Sequence, residues 1–278
     1  MVITLYFLNK MVYSTFCCLK NKMKEGVKYF LYLYVMRFKN RVKETWKEMF
    51  SEITVFEYVL FWIARLMLLC AVIFAKDNAY RTLDSLNMLA CYTMAILRFV
   101  APRKTFLSRL DFRIQHLINI LEVLGTFGGH LLSAYNYIPK YDRWLHLLSG
   151  PLVVIAGYYI YKAFETKEGK ENYRLNPVTA TYSACSFSFV VITLWEIQEF
   201  ISDFFIGSQN QGYYYGPAED DIWFKVFGRG NTGNAQFPLW DTMMDMIDAA
   251  VTTIITAVIL YFVLVFLLKN YFYFLLNV

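Results

Sequence analysis

The 278-residue chain is 58% hydrophobic and only 18% charged, with 22 Tyr and 25 Phe. Soluble domains carry about 25% charged residues, so this composition, with its positive mean hydropathy, excludes an ordinary soluble domain. The net charge of +5 is concentrated at the start, where residues 1–50 hold ten Lys/Arg against three Asp/Glu.

Those basic residues sit among Phe, Tyr, Trp and Leu. The expected partner is therefore an anionic inner-leaflet surface rather than nucleic acid. The five cysteines (Cys17, Cys18, Cys70, Cys91 and Cys185) show no CxxC or zinc-ribbon spacing and read as small buried apolar residues.

In chain order, residues 1–20 read as an interfacial leader, lacking a basic n-region and a small-residue cleavage site. Residues 26–50 predict a basic amphipathic helix on the cytoplasmic membrane face. Six apolar segments then approach the roughly 20 residues a helix needs to cross a bilayer: 56–75, 84–100, 115–137, 145–163, 180–205 and 242–268. An aromatic tail from Tyr271 to Val278 is expected to return to the interface. Lys and Arg fall before the first span, after the second (Arg98, Arg103, Lys104, Arg109, Arg113), after the fourth (Lys162, Lys167, Lys170, Arg174) and after the sixth (Lys269). By the positive-inside rule both termini are cytoplasmic, in a plasma-membrane protein. The fold class expected is all-α: a polytopic membrane helix bundle of about six transmembrane helices (51–278), preceded by a basic amphipathic cytoplasmic helix within residues 1–50.

Ionisable groups inside spans are costly and usually mark function, and here they cluster. Asp142 and His146 are four apart and share a helix face. Glu196, Glu199 and Asp203 form one stripe on the next span, and Asp241, Asp245 and Asp248 form another on the last. Read antiparallel, Glu196 faces Asp248, Glu199 faces Asp245 and Asp203 faces Asp241. Crowded carboxylates in a low-dielectric cleft need compensation. A divalent cation, protons held on some carboxylates, or a positive group such as Arg143 would each supply it. His146, Glu196, Asp245 and Asp142 are the candidate ligands of a divalent metal ion: zinc or manganese with the imidazole, calcium or magnesium with an all-oxygen subset. Glu199 and Asp241 are the candidate acid–base groups. His116 and His130 read as packing histidines, the latter beside Gly128 and Gly129. Glu122 reads equally well as a site member or a polar-network cap. The 206–240 loop carries Glu219, Asp220 and Asp221. No P-loop, nucleophile elbow, HExxH or dinucleotide-binding glycine pattern is present.

Three blocks carry a resemblance: YDRWLHLLSG (141–150), LWEIQEF (194–200) and GNAQFPLWDTMMDM (233–246). Together they resemble the YjdF-like bacterial integral membrane proteins. The matching positions are Asp142, His146, Glu196, Glu199, Gln236, Trp240, Asp241, Thr242, Asp245 and Met246. The similarity spans roughly 110–268. A looser one extends to VanZ-like proteins, which share an Asp-x-x-x-His, acidic, Asp succession. The resemblance implies a topology and a site rather than a reaction. Three functions are compatible with the residues: a metal-dependent enzyme acting on lipid-linked or envelope substrates, a cation or proton transporter, and a non-catalytic binding protein for a cationic ligand.

Overall fold

The computed structural model describes residues 25–75, 77–102, 105–166, 175–208, 210–211 and 237–276. The leader at 1–20, the loop acids Glu219, Asp220 and Asp221, and Gln236 lie outside them. All regular structure among the described residues is helical. The chain divides into two units at Ser51–Glu52. In the first, α1 (Glu25–Glu52) contains the predicted 26–50 helix, and Trp46 stacks on Phe50 one turn along.

The second unit opens with α2 (Val55–Phe74). Its start is set by a capping box: Thr54 Oγ1 accepts from the Glu57 amide, and Glu57 returns a carboxylate oxygen to the Thr54 amide at 2.6 Å. The next helix, α3 (Asn78–Val100), is capped by Asp77. After a 3-10 turn at Phe106–Arg109 comes α4 (Arg113–Glu122), which runs directly into a π-helical segment, Val123–Leu131. A short α5 (Ala134–Tyr137) leads to α6 (Tyr141–Glu165). Then α7 (Pro177–Ile206) starts from an Asn176 cap with Pro177 in its first turn and stops at Gly207 in the left-handed region. The last helix is α8 (Phe237–Leu276).

Five of these helices are long and apolar enough to cross a membrane: α2, α3, α6, α7 and the Asp241–Leu267 part of α8. They turn large apolar side chains outward, among them Phe56, Tyr182, Phe204 and Phe262, as a bilayer-facing surface requires. The segment expected as one span over 115–137 is different. It is helical from Arg113 to Leu131 but changes from α to π at Val123, then breaks at Ser133, whose φ is 59°. The Tyr141 hydroxyl donates to the Leu124 carbonyl at 2.8 Å, and such an inserted donor is a recognised cause of a widened helix. Gly129 admits the Tyr135 ring, into which a Cβ there would run. The tail from Tyr271 continues α8 as far as Leu276, beyond the apolar span that ends at Leu267.

Two features knit the bundle. Arg65, 1% exposed within α2, donates to the Cys91 carbonyl on α3 and to Gln115 Oε1 on α4 at 3.3 and 3.1 Å. At the other side, α6, α7 and α8 approach through small residues, as membrane helices do when no water drives their association. A Cβ on Gly150 would stand 2.7 Å from the Thr253 amide nitrogen and 2.8 Å from the Ala249 carbonyl of α8. One on Gly157 would stand 3.0 Å from the Ala184 carbonyl of α7. Buried Ser188 and Thr253 join α7 to α8 by a 2.8 Å hydrogen bond.

The Thr252 hydroxyl also faces Gly150 and can rotate, but the Thr253 nitrogen and the Ala249 carbonyl belong to backbone and cannot swing aside. Gly150→Ala is expected to destabilise the protein by about 2 kcal/mol, as overpacking does, read as a lowered midpoint in thermal unfolding of the detergent-solubilised chain. An unchanged midpoint would show that α6 and α8 do not cross there.

Candidate functional site

The close crossing fixes what happens one turn towards the start of α6. His146 is 5% exposed and points between α7 and α8. Its Nε2 lies 3.8 Å from Asp142 Oδ1 on its own helix and 3.8 Å from Asp245 Oδ2 on α8. Its Nδ1 lies 3.7 Å from Glu196 Oε1 on α7. Two groups of potential metal ligands result, Asp142–His146–Asp245 and His146–Glu196–Glu199, each with ligand atoms within 4.8 Å of one another. Three helices therefore contribute to one centre, and the shared His146 stands at its middle.

The surrounding acids are close enough to feel one another. Asp245 is within electrostatic reach of Asp142, Asp241, Glu199 and Glu196. Asp241 interacts with Asp142, Glu196, Asp203 and Arg143, but it belongs to neither potential metal group. Glu199 accepts a hydrogen bond from the Trp195 indole at 2.7 Å, one turn back on α7. Both oxygens of Glu196 and Oδ1 of Asp245 are buried with no hydrogen-bond partner among the described residues. That is rare, because buried polar atoms are nearly always satisfied.

The acids at the two ends of the mirrored ladder take other hydrogen-bond partners. For Asp248 the partner is an arginine of α6. Arg143 takes it in a two-pronged contact, Nε to Oδ2 at 2.6 Å and Nη2 to Oδ1 at 2.9 Å. A planar guanidinium meets a carboxylate best in this fork geometry, so the pair forms between neighbouring helices in preference to a carboxylate–carboxylate contact. Asp203 lies within electrostatic reach of Asp241, but its hydrogen bonds go to the chain that follows α7. It closes the end of α7, accepting from Ser208 Oγ and from the amides of Asn210 and Gln211 at 2.7 to 2.9 Å. Gln211 is a member sequence reasoning missed. Its side-chain amide donates to Thr242 Oγ1 at 2.9 Å and to the Glu196 carbonyl at 3.3 Å, pinning the start of α8 against α7 at the height of the centre.

A cavity of about 260 Å³ adjoins the centre. Its walls are mainly apolar, including Ile118, Leu121, Val153 and Ile192, while Asp142, His146 and Glu122 supply polar points. His130 is held by another acid: its Nδ1 is 2.7 Å from Asp84 Oδ1, between the rings of Tyr80 and Tyr135. His116 packs edge-on against Phe61.

A family model described as "Predicted membrane protein (DUF2238)" matches residues 57–265. The chain belongs to this family. It is the YjdF-like group that the three sequence blocks resemble, and the match spans every residue of the His146 centre; the looser VanZ-like similarity is not shown by it. No curated protein and no solved structure matches the chain.

The Arg143–Asp248 pair generates a direct test. Removing one member of a buried pair strands the other charge, at a cost of about 3–5 kcal/mol. Arg143→Leu should therefore unfold the protein at markedly lower temperature, and Arg143→Leu with Asp248→Leu should recover most of the loss. Equal losses in the single and the double variant, measured by thermal unfolding in detergent, would contradict the pairing.

Proposed function

We propose that the His146 centre binds one divalent cation and that the chain is an enzyme acting on a lipid-linked or envelope substrate. The observation that carries this reading is the set of buried, partnerless carboxylate oxygens on Glu196 and Asp245 beside an imidazole. Arg143 is already engaged by Asp248.

The residues fit a cation. Two ligands on one tetrahedral ion, with bonds of about 2.1 Å, stand roughly 3.4 Å apart. The 3.8 Å separations of His146 Nε2 from Asp142 and Asp245 reach that value with small side-chain rotations. His146 Nε2, Asp142 and Asp245 would hold the ion. Glu196, on the Nδ1 side, would orient the imidazole. A cation bound there would supply Lewis-acid polarisation of a phosphoryl or carbonyl oxygen.

The chain's own groups do the remainder. Glu199 keeps one oxygen clear of its Trp195 bond and is placed to take a proton. Asp241, one turn nearer the start of α8, is the second acid–base candidate. The apolar cavity suits the hydrocarbon part of a lipid-linked molecule, with Asp142 and His146 meeting its polar end.

A second reading, proton or cation transport, draws on Glu122. This residue lines both the cavity of about 260 Å³ and a smaller one of about 30 Å³ that also touches His130 and Glu199.

Elemental analysis of the purified chain is expected to find about one zinc, manganese, calcium or magnesium per protein. Asp245→Asn with His146→Ala should lose it, whereas Glu199→Gln should retain it. Metal-free wild-type protein that moves protons in liposomes would replace this reading with the second. We further propose a plasma-membrane location with both termini cytoplasmic and the basic N-terminal segment against anionic lipid. Cysteines introduced at the two termini should then react with an impermeant reagent only in permeabilised cells; labelling of intact cells would reverse the orientation.

A further inference from the structure

A second cavity, on the outer face of the bundle between α2, α4 and α6, has a polarity of its own. It measures about 530 Å³. Glu57 in the first turn of α2, Arg113 at the start of α4 and Tyr159 near the end of α6 line it. Helix direction places these three at one end. Beyond them the walls are apolar, and Leu60, Ile63, Ile120 and Ile155 are exposed on the outside of the bundle. In a membrane-spanning chain that surface meets hydrocarbon.

Two residues that line the groove each carry a buried nitrogen without a hydrogen-bond partner among the described residues: Asn119, 3% exposed, at Nδ2, and His116 at Nε2. The Asn119 amide is a donor by its chemistry and calls for an acceptor in an apolar wall. His116 and Asn119 lie one and two turns inward from Arg113, about 4.5 and 9 Å along the helix axis. From the mouth inward the groove thus presents charge, then hydrogen-bond donors, then hydrocarbon. A glycerophospholipid has the same order: headgroup, ester carbonyls, acyl chains.

The charges at the mouth choose the headgroup. Arg113 lies 3.9 Å from Glu57 and 3.7 Å from Asp111, and it donates to the Glu52 carbonyl at 2.6 Å. One guanidinium beside two carboxylates disfavours a purely anionic headgroup. A zwitterionic headgroup adds the missing cation while offering its phosphate to Arg113. A primary ammonium also donates hydrogen bonds to carboxylates, which a quaternary one cannot.

We propose that this groove binds one aminophospholipid, with its ammonium at Glu57 and Asp111, its phosphate at Arg113, an ester carbonyl at Asn119 or His116, and its chains along α4 and α6. The site is separate from the His146 centre and does not depend on what that centre does.

The test uses the full-length chain purified in detergent and stripped of lipid. Phosphatidylethanolamine, phosphatidylcholine and phosphatidylglycerol are titrated in parallel, and retained lipid is counted by native mass spectrometry. One phosphatidylethanolamine per chain should be retained, with about tenfold preference over the other two, the scale of one charge-assisted hydrogen bond. Glu57→Gln preserves the capping box and should bring the preference over phosphatidylcholine close to unity. Leu60→Trp fills the groove from an exposed position without touching any polar contact, and should abolish retention. Equal retention of all three lipids, preference for phosphatidylglycerol, or retention unaffected by both variants would overturn the proposal.

Discussion

Carboxylates are hard to bury, and this chain buries several around one imidazole inside a bundle that faces lipid. In a medium of low dielectric, neighbouring negative charges repel and lose hydration together. The structure keeps them there through close backbone contact: Gly150 against α8, Gly157 against α7, and the Ser188–Thr253 bond between the last two long helices. The three helices cannot separate to relieve the acids without losing that packing. Compensation must come from positive charge or protons within the centre.

The compensation already present is selective. Arg143 serves Asp248, and backbone amides of the turn after α7 serve Asp203. These two acids, spaced to join the stripes, are thereby set apart as structural. Asp142, Glu196, Glu199, Asp241 and Asp245 remain around or near His146. Gln211 bonds to the Glu196 backbone and to Thr242, and Trp195 to the Glu199 carboxylate, which holds the ligand-bearing surfaces of α7 and α8 at fixed height. Membership of the DUF2238 family agrees with a membrane bundle and leaves the chemistry to be argued from these residues.

Much of this was legible in the sequence. Asp142 and His146 at four-residue spacing, Glu196 with Glu199, and Asp241 with Asp245 each had to share a helix face, and long apolar runs set the bundle. What was not legible depended on contacts between distant segments. Arg143 and Asp248 are 105 residues apart, and spacing alone cannot decide whether an acid meets another acid or an arginine. The π-helical segment depends on a tyrosine hydroxyl from the following helix and on glycines that accept aromatic rings, neither of which alters the apolar pattern. Gln211 follows the end of α7 in a polar stretch that carries no periodic signal. Conversely, Asp203 looked equivalent to Glu199 by spacing, and only the turn that folds back on it shows the difference.

X-ray absorption spectroscopy at the edge of the bound metal examines the central claim most directly. The account predicts one imidazole nitrogen and two or more carboxylate oxygens at about 2.0–2.2 Å for zinc, with the imidazole signature gone in His146→Ala. A metal signal at buffer level, or a shell of water oxygens unchanged by loss of His146, would contradict it.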